Sequence, residues 1–170
     1  MDAEKLREIY NDYYTRPEDH LSDTKLQHTD LIIQRILKYI STRGFSLDKV
    51  KKVLDIGCAK GHHTESFRRA GFEASGFDYS DIAIDEAKRT FHECTFFFMD
   101  GFDPQLKENY DIIFMKGFSG TNTHDLDFVA NMCNKYISAL NSNGWLIIAF
   151  SSNFSGIEVA GETVNWTRIS

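Results

Sequence analysis

The chain is short of several things that would mark a special architecture. It has two prolines in 170 residues, and nothing in it reads as low-complexity sequence or as a linker between domains. Its three cysteines, Cys58, Cys94 and Cys133, are scattered and odd in number, with no CxxC or Cys/His spacing. That argues against a disulfide framework or a zinc site, and no metal is expected. Positive charge is also scarce: 19 Lys and Arg stand against 25 Asp and Glu, a net charge of −6. Binding to nucleic-acid phosphates is driven by Lys and Arg, so no nucleic-acid partner is expected. Long apolar runs are missing as well. Phe96–Met99 is far short of the ~20 residues that a membrane helix needs, and the charged start Met1-Asp2-Ala3-Glu4-Lys5 has no apolar signal core. The expectation is a cytoplasmic protein with no membrane partner. Hydrophobic residues make up 42% of the chain and charged residues 26%. Both are globular values that exclude collagen, coiled coil and wholesale disorder.

The part that remains divides at about residue 45. Residues 2–13 read as a short helix, and 24–42 as a clearer one, with Leu26, Ile33, Ile36, Leu37 and Ile40 at helical spacing and Gly44 as its stop. From Val50 onward, strands and helices alternate. Strands are expected at 53–56, 74–77, 94–99, 110–115 and 145–150. Helices are expected at 62–70, from a cap at Ser80, and from Leu126, the last with Leu126, Val129, Cys133, Tyr136, Ile137 and Leu140 on one face. Apolar strands without polar alternation fit a parallel sheet covered on both faces. The expected fold is a doubly wound α/β sheet of order 3-2-1-4-5. A helical extension precedes it, giving a cap over residues 1–45 and a binding domain over 46–170.

In such sheets ligands bind at the carboxyl ends of the strands. The first strand runs into Asp55-Ile56-Gly57-Cys58-Ala59-Lys60-Gly61, a glycine turn that lets a ligand approach the backbone. The dinucleotide pattern G-x-G-x-x-G/A fails at Ala59 and at His62. The second strand ends in Asp78-Tyr79, placing an acid 21 residues after Gly57, where it can accept from ribose hydroxyls, with Tyr79 available to an adenine face. The third strand ends in Asp100-Gly101-Phe102, where Asp100 can accept from an exocyclic amine. Three consecutive strands therefore each bring an acid to the same end of the sheet.

With these residues in place, the sequence resembles the class I S-adenosylmethionine-dependent methyltransferases, a Rossmann-like family. Residues 53–61 look like its first motif, Asp78 like its ribose-binding acid, and Asp100-Gly101-Phe102 like its adenine-contacting segment. Tyr110-Asp111-Ile112-Ile113 resembles its fourth strand, and Leu140–Gly144 leading into Trp145–Ile148 its last loop and fifth strand. The resemblance implies S-adenosylmethionine as cofactor and S-adenosylhomocysteine as product. Asp55, Gly57, Cys58, Ala59, Gly61, Asp78, Tyr79, Asp100, Gly101 and Phe102 would line the cofactor site. Tyr14 and Arg16 of a covering N-terminal segment, and Lys116, would also reach it; Lys116 has a second role open to it, contact with an acidic substrate. His124 is the candidate general base, and one of His62 and His63 is expected near the cofactor with the other exposed to solvent. The family normally continues beyond the fifth strand, and this chain has twenty residues after Phe150, so the last strand pair is expected to be missing. Motifs for nucleobase acceptors are absent, which points to a small-molecule or sugar- or lipid-like acceptor. A nicotinamide-dependent oxidoreductase and a non-catalytic cofactor-binding or scaffold module are the other readings of the same architecture.

Overall fold

The computed structural model describes residues 3–15, 23–49, 52–121 and 125–149. Two helices, α1 (Ala3–Tyr14) and α2 (Asp23–Thr42), precede the alternating region. There, β1 (Lys52–Ile56), α3 (His62–Arg69), β2 (Glu73–Asp78), α4 (Asp81–Thr90), β3 (Thr95–Phe98), β4 (Tyr110–Lys116), α5 (Leu126–Ile137) and β5 (Leu140–Ala149) follow in turn. The five strands form one sheet of order β3-β2-β1-β4-β5, with every pairing parallel. The expected topology is therefore present.

Alternation along the central strands sorts the core into two faces. Val53, Ile112 and Phe114 meet Ile33, Leu37 and Ile40 of α2 and Phe67 of α3. Leu54, Ile56, Ile113 and Met115 face the other way, toward Met132 and Tyr136 of α5. A third cluster, with Ile84 and Ala87 of α4 and Phe91 and Phe96, fills the space beneath Cys58. Helix α2 thus shares a core with the sheet. It ends as expected at Gly44, whose φ is 86°. Among the described residues, no helix is long and apolar enough to cross a membrane.

Three details differ from the sequence reading. Leu126 and Ile137 are not core residues of α5: they are 61% and 50% exposed, and Met132 takes their place beside Val129 and Tyr136. Leu140 belongs to β5 rather than to the helix, paired with Tyr110. Asn143-Gly144 is not a turn ahead of the strand either. The register steps from Leu140 opposite Tyr110 to Trp145 opposite Ile112, so residues 141–144 bulge out across from Asp111. Asn143 takes a φ of 67° there, and Asn141 Nδ2 donates to Asp111 Oδ1 (2.9 Å) to hold the bulge.

Because Ile33 is fully buried between α2 and the sheet, Ile33→Ala should lower the free energy of unfolding by about 2–5 kcal/mol, as other large-to-small core changes do. Urea denaturation followed by circular dichroism should show one transition at a lower midpoint. An unchanged main transition would mean that α2 unfolds independently.

Candidate cofactor site

The turn after β1 is a left-handed arc. Gly57, Ala59 and Gly61 have φ values of 67°, 50° and 84°. For Ala59 that geometry costs roughly 1–2 kcal/mol, so something must hold it. Asp78, at the end of the neighbouring β2, does so: its Oδ2 accepts from the Ala59 N–H (2.9 Å), while its Oδ1 accepts from the Ser80 N–H (3.0 Å). Cys58 N–H donates to Phe77 O (2.9 Å), extending the ladder into the turn. Small residues let the turn sit low. A Cβ on Gly61 would come within 2.6 Å of Phe96, and one on Gly76 within 2.7 Å of Thr64.

Asp55 lies under this turn. It is 2% exposed, and its Oδ2 accepts from the Thr64 hydroxyl (2.7 Å) at the start of α3. Burial is the main reason its carboxyl is pushed up to about 7; Thr64 opposes the shift and the Asp78 charge adds to it. Burial also raises Asp78, against the pull of the Ala59 and Ser80 N–H groups. Cys58 is buried, and burial raises its thiol as well, so it is a packing residue rather than a nucleophile.

At the end of β3, Asp100 Oδ1 accepts from the Phe102 N–H (2.8 Å). Gly101 is boxed in: a Cβ there would lie 2.6 Å from Phe118, and its carbonyl accepts from the buried Tyr136 hydroxyl (2.6 Å). Tyr79 stacks on Phe98 with ring centroids 5.2 Å apart, and the Arg7 guanidinium lies 5.3 Å over the same Phe98 ring.

These strand ends surround an open cleft. Gly57, Asp78, Tyr79, Asp100, Gly101 and Phe102 all line it, as do Gly117, Phe118 and Ser119 after β4. Asp55, Cys58, Ala59 and Gly61 form its floor and frame rather than its lining. Lys116 is half-buried and also absent from the lining. Tyr14 does not reach the cavity wall and makes an edge contact with Tyr13 at 5.2 Å. Arg16 and His124 lie outside the described residues.

A family model described as a methyltransferase domain matches residues 26–168. The chain belongs to the methyltransferase-domain family. S-adenosylmethionine is the cofactor that this membership brings. No curated protein matches. Solved structures share the fold of this methyltransferase domain. The sugar N-methyltransferase KedS8 from Streptoalloteichus sp. superposes with a TM-score of 0.60 at 17% identity, over 87% of this chain and 56% of that one. CalS10, an amino pentose methyltransferase from Micromonospora echinaspora, gives 0.58 at 16% identity over 82% and 55%. An S-adenosylmethionine-dependent methyltransferase from Clostridium acetobutylicum gives 0.57 at 18% identity over 85% and 56%. The chain spans about half the length of these structures.

Several residues around the site escaped the sequence reading. Leu6 and Tyr10 of α1 line the cavity, whereas the Tyr13 side chain beyond them is 51% exposed. Their i, i+4 spacing was the available signal. Helix α1 is fastened at three points. Arg7 pairs with Asp81, and Asn11 Nδ2 donates to Asp81 Oδ1 (2.7 Å). The Ser80 hydroxyl donates to Asn11 Oδ1 (2.6 Å), and the Tyr10 hydroxyl to Ser119 Oγ (2.9 Å). Lys60, within the turn, is also buried and pairs with Glu86 of α4 (3.1 Å). His63 departs from the solvent-exposed role expected for one of the two histidines. It is half-buried, its ring 5.5 Å from Phe114, and burial chiefly, then Lys116, brings it down to about 3.

The raised Asp55 carboxyl gives a pH dependence with a definite sign. The folded state keeps that proton up to about pH 7, whereas the unfolded chain loses it near 3.8. Its contribution to stability is therefore fully present below about pH 4 and lost as pH rises toward 7, by at most about 1.4 kcal/mol per pH unit. Asp55→Asn keeps an acceptor for Thr64 and removes the titration. Urea unfolding of both proteins from pH 4 to 8 should show wild type losing ground to the variant up to about pH 7. Parallel curves would contradict the assignment.

Proposed function

We propose that the chain binds S-adenosylmethionine in the cavity at the carboxyl ends of β1, β2 and β3 and transfers its methyl group to a small-molecule acceptor. The observation that carries this reading is the convergence of Gly57, Asp78 and Asp100, from three consecutive strands, on one cavity. The donor set fits the cofactor. Asp78 and Asp100 each accept backbone N–H bonds and retain lone pairs for further donors, matching ribose hydroxyls and an exocyclic amine. Gly57 and Gly101 keep the wall free of side chains, and Tyr79 offers a ring face.

When bound, the cofactor supplies an activated methyl group whose carbon bonds to an acceptor heteroatom while its sulfur retains the electron pair of the broken bond. The chain's own residues orient and enclose. Asp78 fixes the turn and the ribose together. Phe118 fills the space under Gly57 and Gly101. Helix α1 serves as the cover that excludes water, with Leu6 and Tyr10 over the cavity. Proximity and alignment are the main demands of such a transfer. The sugar and amino pentose methyltransferases among the structural relatives support a small polar acceptor such as a sugar.

Calorimetry with S-adenosylhomocysteine tests the site. Asp78→Asn should weaken binding by about tenfold to a hundredfold, since charge-assisted hydrogen bonds contribute about 1.5–3 kcal/mol each. Circular dichroism should confirm an intact fold, and NAD should not bind. Unchanged affinity in that variant would place the cofactor elsewhere.

The cover is tested separately. Hydrogen exchange of the α1 amides should slow when S-adenosylhomocysteine is added. The double variant Tyr10→Phe, Asn11→Ala loses the bonds to Ser119, Ser80 and Asp81 and should bind about tenfold more weakly. No added protection, together with wild-type affinity in the variant, would show that α1 is not a cover.

A further inference from the structure

The cavity leaves a second group of polar side chains unused. Lys116 closes β4, one step beyond the pairing of Ile56 with Met115, and so stands beside Gly57. Alternation puts its side chain on the α2/α3 face with Phe114, whereas the cavity is lined by Gly117 and Phe118 just beyond. Lys116 is half-buried, and among the described residues none forms a hydrogen bond or ion pair with it. Next to it, His63 lies on Phe114 (5.5 Å between ring centroids) with Nε2 buried and, among the described residues, without a hydrogen-bond partner. A buried polar atom left unsatisfied costs about 1–3 kcal/mol, which a ligand could remove. The charges that bear most on His63 come from three elements and are all basic: Lys116 of β4, His62 of α3, and His28 and Lys25 of α2. Yet the chain as a whole is acidic, at −6.

We propose that Lys116 and His63 form an anion site for the methyl acceptor, holding its carboxylate or phosphate group beside the Gly57 turn. The inference rests on the methyl-transfer reading and narrows the acceptor to an anionic molecule. The Lys116 ammonium supplies the charge, and the His63 ring supplies a donor at Nε2. Burial keeps His63 neutral, so the pair presents one full charge and one directed hydrogen bond. Such a site suits the donor chemistry. The acid nearest Lys116 is Asp55, whose carboxyl burial pushes up to about 7, so it offsets the lysine only in part. A sulfonium donor beside that lysine is electrostatically unfavourable, and an acceptor that brings its own negative charge relieves the repulsion. The cofactor's carboxylate is the rival occupant. The position of Lys116 off the cavity wall favours the acceptor.

Inorganic phosphate and acetate are the probes, titrated into the chain saturated with S-adenosylhomocysteine. The readout is the His63 imidazole resonance, assigned by its loss in His63→Gln. Phosphate or acetate should move that resonance saturably. Lys116→Met should weaken the response by about tenfold to a hundredfold, and Lys116→Arg should restore most of it. Phosphate should leave the affinity for S-adenosylhomocysteine unchanged. A His63 signal indifferent to both anions overturns the anion site. Competition between phosphate and S-adenosylhomocysteine overturns the assignment to the acceptor, because the pair would then hold the cofactor's carboxylate. If S-adenosylhomocysteine itself fails to bind, the methyl-transfer reading falls and takes the acceptor assignment with it. The same titration on the unloaded chain separates that failure from loss of the anion site.

Discussion

The Asp78 carboxylate is the joint on which the site depends. One oxygen holds the Ala59 N–H, and with it a turn in which a non-glycine residue sits in the left-handed region; the other holds the Ser80 N–H at the start of α4. Ser80 in turn caps α4, accepting from the Ala83 N–H (3.2 Å), and donates to Asn11 of α1. A single side chain therefore fixes the floor of the cavity, the first turn of a crossover helix and, through Ser80, the helix above. Burial raises its pKa while the N–H groups of Ala59, Ser80 and Tyr79 pull it back, so its ionisation depends on the very bonds that shape the turn.

A second restraint acts on the same turn from the other end. Lys60 is 3% exposed and pairs with Glu86 of α4. A buried pair of this kind adds little net stability, but breaking one partner is costly because a charge is left uncompensated. The turn is thus held by Asp78 at Ala59 and by Glu86 at Lys60, with Phe96 against Gly61 closing the space beneath. Rigidity here has a functional reason: methyl transfer depends on alignment, and a floor free to move would spoil it.

Topology was legible in the sequence because each crossover carries its own local signals. The apolar run 53–56 ends at a glycine, Ser80 caps α4 as read, and Gly44 stops α2, so the alternation of strands and helices was readable and right-handed parallel crossovers followed from it. Three acids at successive strand ends marked the cavity for the same reason: a strand end is a local feature. The reading failed where distant residues decide. Leu126 and Ile137 match the helical period, yet α5 turns them to solvent, since which stripe is buried depends on Tyr136 reaching Gly101. The bulge at 141–144 is anchored on Asp111, thirty positions away. The fastening of α1 joins Arg7 and Asn11 to Asp81, with no spacing rule to announce it.

The arrangement of charge separates the two sides of β4. Acids collect over β1, β2 and β3: Asp55 and Asp78 buried, Asp100 at the cavity wall. Bases collect where β4 meets α2 and α3. Asp55 sits at the border, since it pairs with Phe114 and accepts from Thr64 of α3 on the face that also carries Lys116. A cationic donor held by the acids would face an acceptor drawn to the bases, with the Gly57 turn between them. The field that recruits each partner then also sets their relative orientation. A net acidic protein can in this way attract an anion locally, since at about 8 Å of screening length a nearby lysine outweighs the distant surplus of carboxylates.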